Sequence, residues 1–165
     1  ARIAKELGSD YAFWNCGLGW ARASDCAQKG NWLGRALNSD IMIVAFGTND
    51  IVSGEYGGDG GNNADEVNGY ISTILEQSQA AGCRTILFNA PPQDYDEEHE
   101  AVRTALNDME KQTAEKYSAE YFDFASQLST PENPAGALYG GHPNGEGGKV
   151  VCEAFMKQFA ELLGK

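Results

Sequence analysis

Apolar positions in this chain follow two alternating rhythms. Ile41-Met42-Ile43-Val44-Ala45-Phe46 and Arg84-Thr85-Ile86-Leu87-Phe88-Asn89-Ala90 are short, nearly continuous apolar runs, the pattern of strands buried on both faces. The first predicts a strand over 41–47, and the second stops at Pro91-Pro92. Between them Val67, Ile71, Ile74 and Leu75 fall on one stripe of a helix, with Asn63 or Asp65 available as its cap and Gly82 as its end. A helix over about 96–117 turns Val102, Leu106 and Met109 inward, and a final helix over about 145–163 buries Val151, Phe155, Phe159 and Leu162. Tyr121-Phe122-Asp123-Phe124 reads as a short strand. Toward the start, residues 2–7 close a helix at Gly8, Tyr11 to Cys16 reads as a strand ending at Gly17-Leu18-Gly19, and a helical stretch spans about 22–37. Four strands separated by helices predict an α/β domain with a parallel sheet covered on both faces.

Composition narrows what such a domain can meet. The 165 residues suit a single domain with a real core, 42% of them hydrophobic. No apolar run approaches the roughly 20 residues of a membrane span. With 24 acidic and 12 basic side chains the formal charge is -12, which repels phosphate backbones and anionic membranes and makes nucleic acid a poor partner. Cys16, Cys26, Cys83 and Cys152 lie far apart without a Cys-x-x-Cys pair and read as small buried hydrophobes, not as disulfides or zinc ligands. The compartment stays open, since the chain starts at Ala1 and a trimmed start would erase a leader.

Two turns carry candidate chemistry. Gly47-Thr48-Asn49-Asp50 follows the strand 41–47, where a parallel sheet opens its ligand crevice, and an Asn there can donate to charge developing on a substrate oxygen. Gly140-Gly141-His142-Pro143-Asn144 brings one of the two histidines just ahead of the final helix. An amide donor and a histidine at such turns are parts of an acyl-transfer site.

In these residues the chain resembles the SGNH hydrolase superfamily, the GDSL-type esterases and lipases. That family carries four blocks in order: a Ser in Gly-Asp-Ser, a Gly after the second strand, an Asn in Gly-x-Asn-Asp, and a His in Asp-x-x-His. Asn15-Cys16-Gly17-Leu18-Gly19 resembles the second block, Gly47-Thr48-Asn49-Asp50 matches the third, and His142 with Pro143-Asn144 and Gly147 matches most of the fourth. The resemblance implies a three-layer α/β/α sandwich with a flavodoxin-like parallel sheet over residues 1–165. It implies a serine esterase or acylhydrolase, with His142 as base and Gly17 and Asn49 as oxyanion donors. The substrate would be a small-molecule or carbohydrate ester, with no cofactor or metal.

Two features depart from the family pattern. The Gly-Asp-Ser block is absent, and Gly8-Ser9-Asp10 has its letters in the wrong order before the wrong strand. The expectation is that the first strand and the nucleophile lie on a complementing segment upstream of Ala1. Tyr139 also stands three residues before His142 where the family has Asp, leaving Asp123, Asp94 or a backbone carbonyl to orient the imidazole. A non-catalytic SGNH-like module that binds a glycan or protein partner is the alternative reading, and a nucleotide binder is weaker because no Gly-rich phosphate loop follows a first strand.

Other residues have plainer readings. Asp50 reads as a turn and capping residue, and His99 as a first-turn helix residue among acids. The Gly54–Asn63 stretch lacks the spacing of a calcium loop and reads as a flexible loop, one whose position after Asn49 could also make it a rim of the cleft. Trp14 and Trp32 read as packing residues, and Trp20 as lining the cleft or buried.

Overall fold

The two apolar runs become strands β1 (Ile41–Ala45) and β2 (Arg84–Phe88), and β3 (Glu120–Phe122) joins them in a parallel sheet of order β1-β2-β3. The computed structural model describes residues 2–28, 34, 37–52, 62–129, 138 and 141–164. They fall into a larger unit, Cys16–Ala90 with Tyr95–Asp123, and a smaller one, Ala1–Asn15 with Pro91–Asp94 and Phe124–Lys165.

In the larger unit Ile41 pairs with Arg84 and Ala45 with Phe88, while Ile86 pairs with Glu120 and Phe88 with Phe122. Helix α2 (Ala23–Gln28) precedes β1, and the short α3 (Thr48–Val52) follows it. Helices α4 (Ala64–Ala80) and α5 (Glu97–Lys116) make the crossovers to β2 and β3 and pack against each other. Met42, Val44 and Leu87 face one way and join Val67, Ile71, Ile74, Leu75 and Leu106 in a buried core. The other sheet face carries Ile86, Phe88 and Phe122, also buried, with the two phenylalanine rings 4.6 Å apart.

The helix ends obey their local chemistry. Asn63 accepts from the Glu66 N–H at 3.0 Å while the Glu66 carboxylate accepts from the Asn63 N–H, a reciprocal capping box. Gly82, at φ +72°, takes the left-handed conformation just past the α4 C-cap, Ala81. Asp96 caps α5 through the His99 N–H and also meets the His99 ring, so His99 is the first-turn residue expected.

In the smaller unit α1 (Arg2–Leu7) and α6 (Phe124–Leu128) pack on α7 (Gly145–Gln158). Val151, Cys152 and Phe155 bury the α7 stripe, continued by Phe159 and Leu163. A methyl at Gly147 would collide with the Leu138 carbonyl and lie 3.0 Å from Leu128 Cδ2, so only glycine fits where α7 meets that backbone. The Tyr11 hydroxyl donates to the Leu163 carbonyl at 2.7 Å.

The structure corrects several expectations. Residues 11–16 form no strand among the described residues, so the sheet has three strands, not four. A strand exists through its neighbour's hydrogen bonds, and this stretch pairs with none of the three. Trp14 is 77% exposed and Trp20 66%, so neither is core; Trp32 lies outside the described residues. The helix expected over 22–37 is seen as Ala23–Gln28, and residues 29–33 and 35–36 lie outside the described set. Most of the Ser53–Asn63 loop lies outside it too. Helix α7 stops at Gln158, and the turn that follows buries Leu163 in place of Leu162. Cys26, Cys83 and Cys152 are buried free thiols, while Cys16 is half-buried.

Helix α5 holds one unusual group. Glu110 is fully buried, and neither carboxylate oxygen accepts a hydrogen bond among the described residues. Burial pushes its pKa well above the ordinary 4.5 and the Asp50 charge adds to this, opposed only by the Ala90 backbone amide. The folded state therefore holds a proton that the unfolded chain releases above about pH 4.5. Stability attributable to this group is greatest below that pH and declines as pH rises toward the raised folded value. Glu110→Gln, which cannot ionise, is expected to raise Tm over the parent more at pH 8 than at pH 5, each kcal/mol being worth roughly 2–4 °C. Thermal melts at the two pH values check this, and an equal difference at both would mean that Glu110 does not hold that proton.

Candidate active site

The turn after β1 is built around a buried carboxylate. Asp50 is wholly inaccessible, and its two oxygens accept from the Ala23 N–H at 3.0 and 3.1 Å and from the Gly47 N–H at 3.2 Å. Burial pushes its pKa up from 3.8, while the N–H groups of Ala23 and Gly47 and the charge of Arg22 favour the ionised form. Of the two buried acids, Asp50 accepts from two N–H groups, whereas Glu110 is opposed in its burial only by the Ala90 amide, which donates to Asn107, so the proton resides on Glu110. Asp50 is thus the capping residue its position suggests, and the Ile51 N–H closes the turn on the Gly47 carbonyl at 2.9 Å.

Gly47 is obligatory here. Its φ is +113°, and a Cβ would stand 2.8 Å from Ala90 Cβ and 3.0 Å from Leu106 Cδ2. The turn therefore rests on the loop after β2 and on one face of α5.

Asn49 is half-buried, and its Nδ2 donates to the Ala21 carbonyl at 3.0 Å. An amide nitrogen carries two N–H groups. One fixes the orientation of the side chain, and the amide has a second N–H with which to donate. Ala21 closes a tight turn through its N–H to the Leu18 carbonyl at 3.3 Å, with Trp20 at φ +64° inside it. Gly17 is exposed and immediately precedes that turn. Asn49 and Asp50 thus grip, at Ala21 and Ala23, the same stretch that carries Gly17.

A second polar group marks the ends of β2 and β3. Asn89, buried, donates from Nδ2 to the Tyr121 hydroxyl and to Asp123 Oδ1, both at 2.9 Å. Burial raises the Tyr121 pKa, with Asp123 and Glu110 adding to it, so the phenol stays neutral. Asp123 is exposed at this rim.

His142 belongs to the smaller unit. It is exposed between Gly141, at φ +80°, and Pro143, two residues before Asn144. Asn144 caps α7 by accepting from the Gly147 N–H at 2.8 Å, its own N–H donates to the Leu138 carbonyl at 3.0 Å, and Arg2 donates to the Gly145 carbonyl at 3.1 Å. Those bonds fix the chain just after the imidazole. Asp94 is exposed, and Tyr139 lies outside the described residues.

Sequence reasoning missed Glu110, Asn89 and Asn107. Asn107 accepts from the Ala90 N–H and donates to the Ala90 carbonyl, both at 3.0 Å. For Glu110 a signal was present: it stands four residues beyond Leu106, on the apolar stripe of α5, where a charged residue is out of place.

The family profile of GDSL-like lipases and acylhydrolases matches residues 1–150. No match is found among curated proteins. Among solved structures, the chain is similar to the native aryl esterase of M. smegmatis, with TM-score 0.74, 18% identity, and 98% of this chain and 83% of that one covered. It is also similar to an alpha/beta hydrolase enzyme from the metagenome of Lake Arreo, with TM-score 0.66, 17% identity and coverage of 84% and 67%. A variant of an acetyl-xylooligosaccharide esterase from Geobacillus gives TM-score 0.62, 14% identity and coverage of 84% and 68%. These likenesses show an α/β/α fold of SGNH type. With its parallel sheet, its Gly-x-Asn-Asp turn and a profile match over residues 1–150, the chain belongs to the GDSL-like lipase/acylhydrolase family of ester hydrolases.

Proposed function

We propose that this chain carries the oxyanion donors and the base of a serine esterase acting on a short acyl ester, with the nucleophilic serine on a segment upstream of Ala1. The observation that carries the proposal is the Asn49 amide, locked by one N–H onto the Ala21 carbonyl in a turn held by Asp50. The serine Oγ attacks the ester carbonyl carbon as His142 takes its proton. The tetrahedral oxyanion receives hydrogen bonds from the Asn49 amide, the Gly17 N–H and the N–H of the nucleophile. Collapse expels the alcohol, protonated by His142, and leaves an acyl-serine. Water, deprotonated by the same imidazole, attacks that acyl group and releases the acid.

The likeness to an aryl esterase and to an acetyl-xylooligosaccharide esterase supports a small acyl group on an aryl or carbohydrate alcohol. The net charge of -12 disfavours an anionic alcohol part. In sequence the serines of this chain, Ser24, Ser53 and Ser126 among them, lack the strand-to-turn pattern of a nucleophile, which supports an upstream one.

In the full-length polypeptide, Asn49→Ala is expected to lower kcat on p-nitrophenyl acetate by about 10²–10³ while leaving the fold intact by circular dichroism. His142→Ala is expected to abolish turnover. A variant of either residue with parental kcat removes it from the mechanism. Labelling with a fluorophosphonate, followed by peptide mapping, is expected to mark a serine N-terminal to Ala1. Label on Ser24, Ser53 or Ser126 would disprove the upstream nucleophile.

A further inference from the structure

Asn107 lies at the middle of α5, yet its side-chain amide is committed to the backbone of one distant residue. Its Oδ1 accepts from the Ala90 N–H and its Nδ2 donates to the Ala90 carbonyl, both at 3.0 Å, a bidentate pairing across 17 residues of sequence. Arg103, one helical turn earlier, adds a 3.3 Å donation to the same carbonyl while its other nitrogens hold Glu100. Ala90 is buried, and these three hydrogen bonds hold its backbone.

The Ala90 methyl is what Gly47 rests on: a Cβ at Gly47 would lie 2.8 Å from Ala90 Cβ and 3.0 Å from Leu106 Cδ2. Helix α5 therefore supports the turn after β1 twice, through Leu106 by direct packing and through Asn107 by way of Ala90. Backbone so closely packed cannot settle or rise without displacing the Gly47 carbonyl that receives the Ile51 N–H, and with it the first turn of α3, where Asn49 sits.

We infer that Asn107 is a positioning residue for ester hydrolysis: by clamping the Ala90 peptide unit it fixes the height of the Gly47–Asp50 turn and so the aim of the Asn49 amide. The inference rests on the assignment of Asn49 as an oxyanion donor. It touches neither substrate nor the reacting atoms. An oxyanion donor works only within a few tenths of an ångström of the right place, and a misplacement near 1 Å can cost about 100-fold in rate. The donor's support is therefore a rate determinant even though it is remote from the ester.

A double-mutant cycle on the full-length enzyme tests this, with turnover normalised to active sites titrated by a fluorophosphonate. Asn107→Ala is expected to reduce kcat per titrated site by about ten- to a hundredfold with KM within twofold. In an Asn49→Ala background the same change is expected to cost less than twofold, because the donor it aims is already gone. Equal losses in both backgrounds, or parental kcat per titrated site, would overturn the inference. Parental activity of Asn49→Ala alone would instead bring down the oxyanion assignment, so the two failures are distinct. Should Asn107→Ala not fold, Ala90→Gly keeps the clamp and removes the methyl under Gly47. It is expected to lower kcat in the same background-dependent way, and unchanged kcat there would overturn the inference equally.

Discussion

The Asp50 carboxylate, wholly shielded from solvent, accepts hydrogen bonds from the backbone of Ala23, 27 residues away, and of Gly47. A carboxylate left unpaired in such a place costs several kcal/mol. Neither N–H-bearing segment can therefore drift away without exposing that cost. The consequence for chemistry follows from adjacency. Asn49 precedes Asp50 at the start of a helix and reaches Ala21, two residues from the Ala23 that Asp50 holds. One buried anion thus fixes the stretch against which the candidate oxyanion donor is oriented.

Beneath this turn α5 supplies a floor, and its two polar intrusions solve different problems. Asn107 meets a peptide unit with both halves of its amide, so each buried group has a partner. Glu110 has no hydrogen-bond partner for its carboxyl oxygens among the described residues and is carried as a neutral acid. Were both Asp50 and Glu110 ionised, two negative charges would share a region of low dielectric, an arrangement that folding resists by keeping one proton. The division follows the supply of N–H donors: Asp50 has those of Ala23 and Gly47, while the Ala90 amide near Glu110 is already taken by Asn107.

What the sequence disclosed tracks what local chemistry determines. Strand β2 was legible because a strand buried on both faces needs apolar residues in succession, and β1 was legible from the same kind of run, although its second face is only half-buried at Ile41 and Ile43 and exposed at Ala45. Helix α4 was legible because Asn63, the Val67–Ile71–Ile74 stripe and Gly82 are all local signals. The role of Asp50 was legible from its place at a strand-to-helix turn. Residues 11–16 misled because strand propensity says nothing about whether a neighbour is present to bond. Asn107, bonded to the backbone of Ala90, and Asn89, bonded to the side chains of Tyr121 and Asp123, were invisible because a polar residue whose partners lie far along the chain looks, in sequence, like a solvated one. Glu110 was also missed, although its signal, a charge on an apolar stripe, is local.

The same local economy bears on how an acidic protein stabilises an anionic intermediate. A formal charge of -12 opposes an oxyanion in principle, but exposed charges are damped beyond about 8 Å at physiological salt. The buried charge that matters is Asp50, beside Asn49, and its field is already engaged by the N–H groups of Ala23 and Gly47. A second buried charge at Glu110 would be screened little and would repel the intermediate. Its protonation removes that repulsion, and in the proposed mechanism the Asn49 amide, held on Ala21 before any substrate arrives, is a donor that needs no reorganisation when the oxyanion forms.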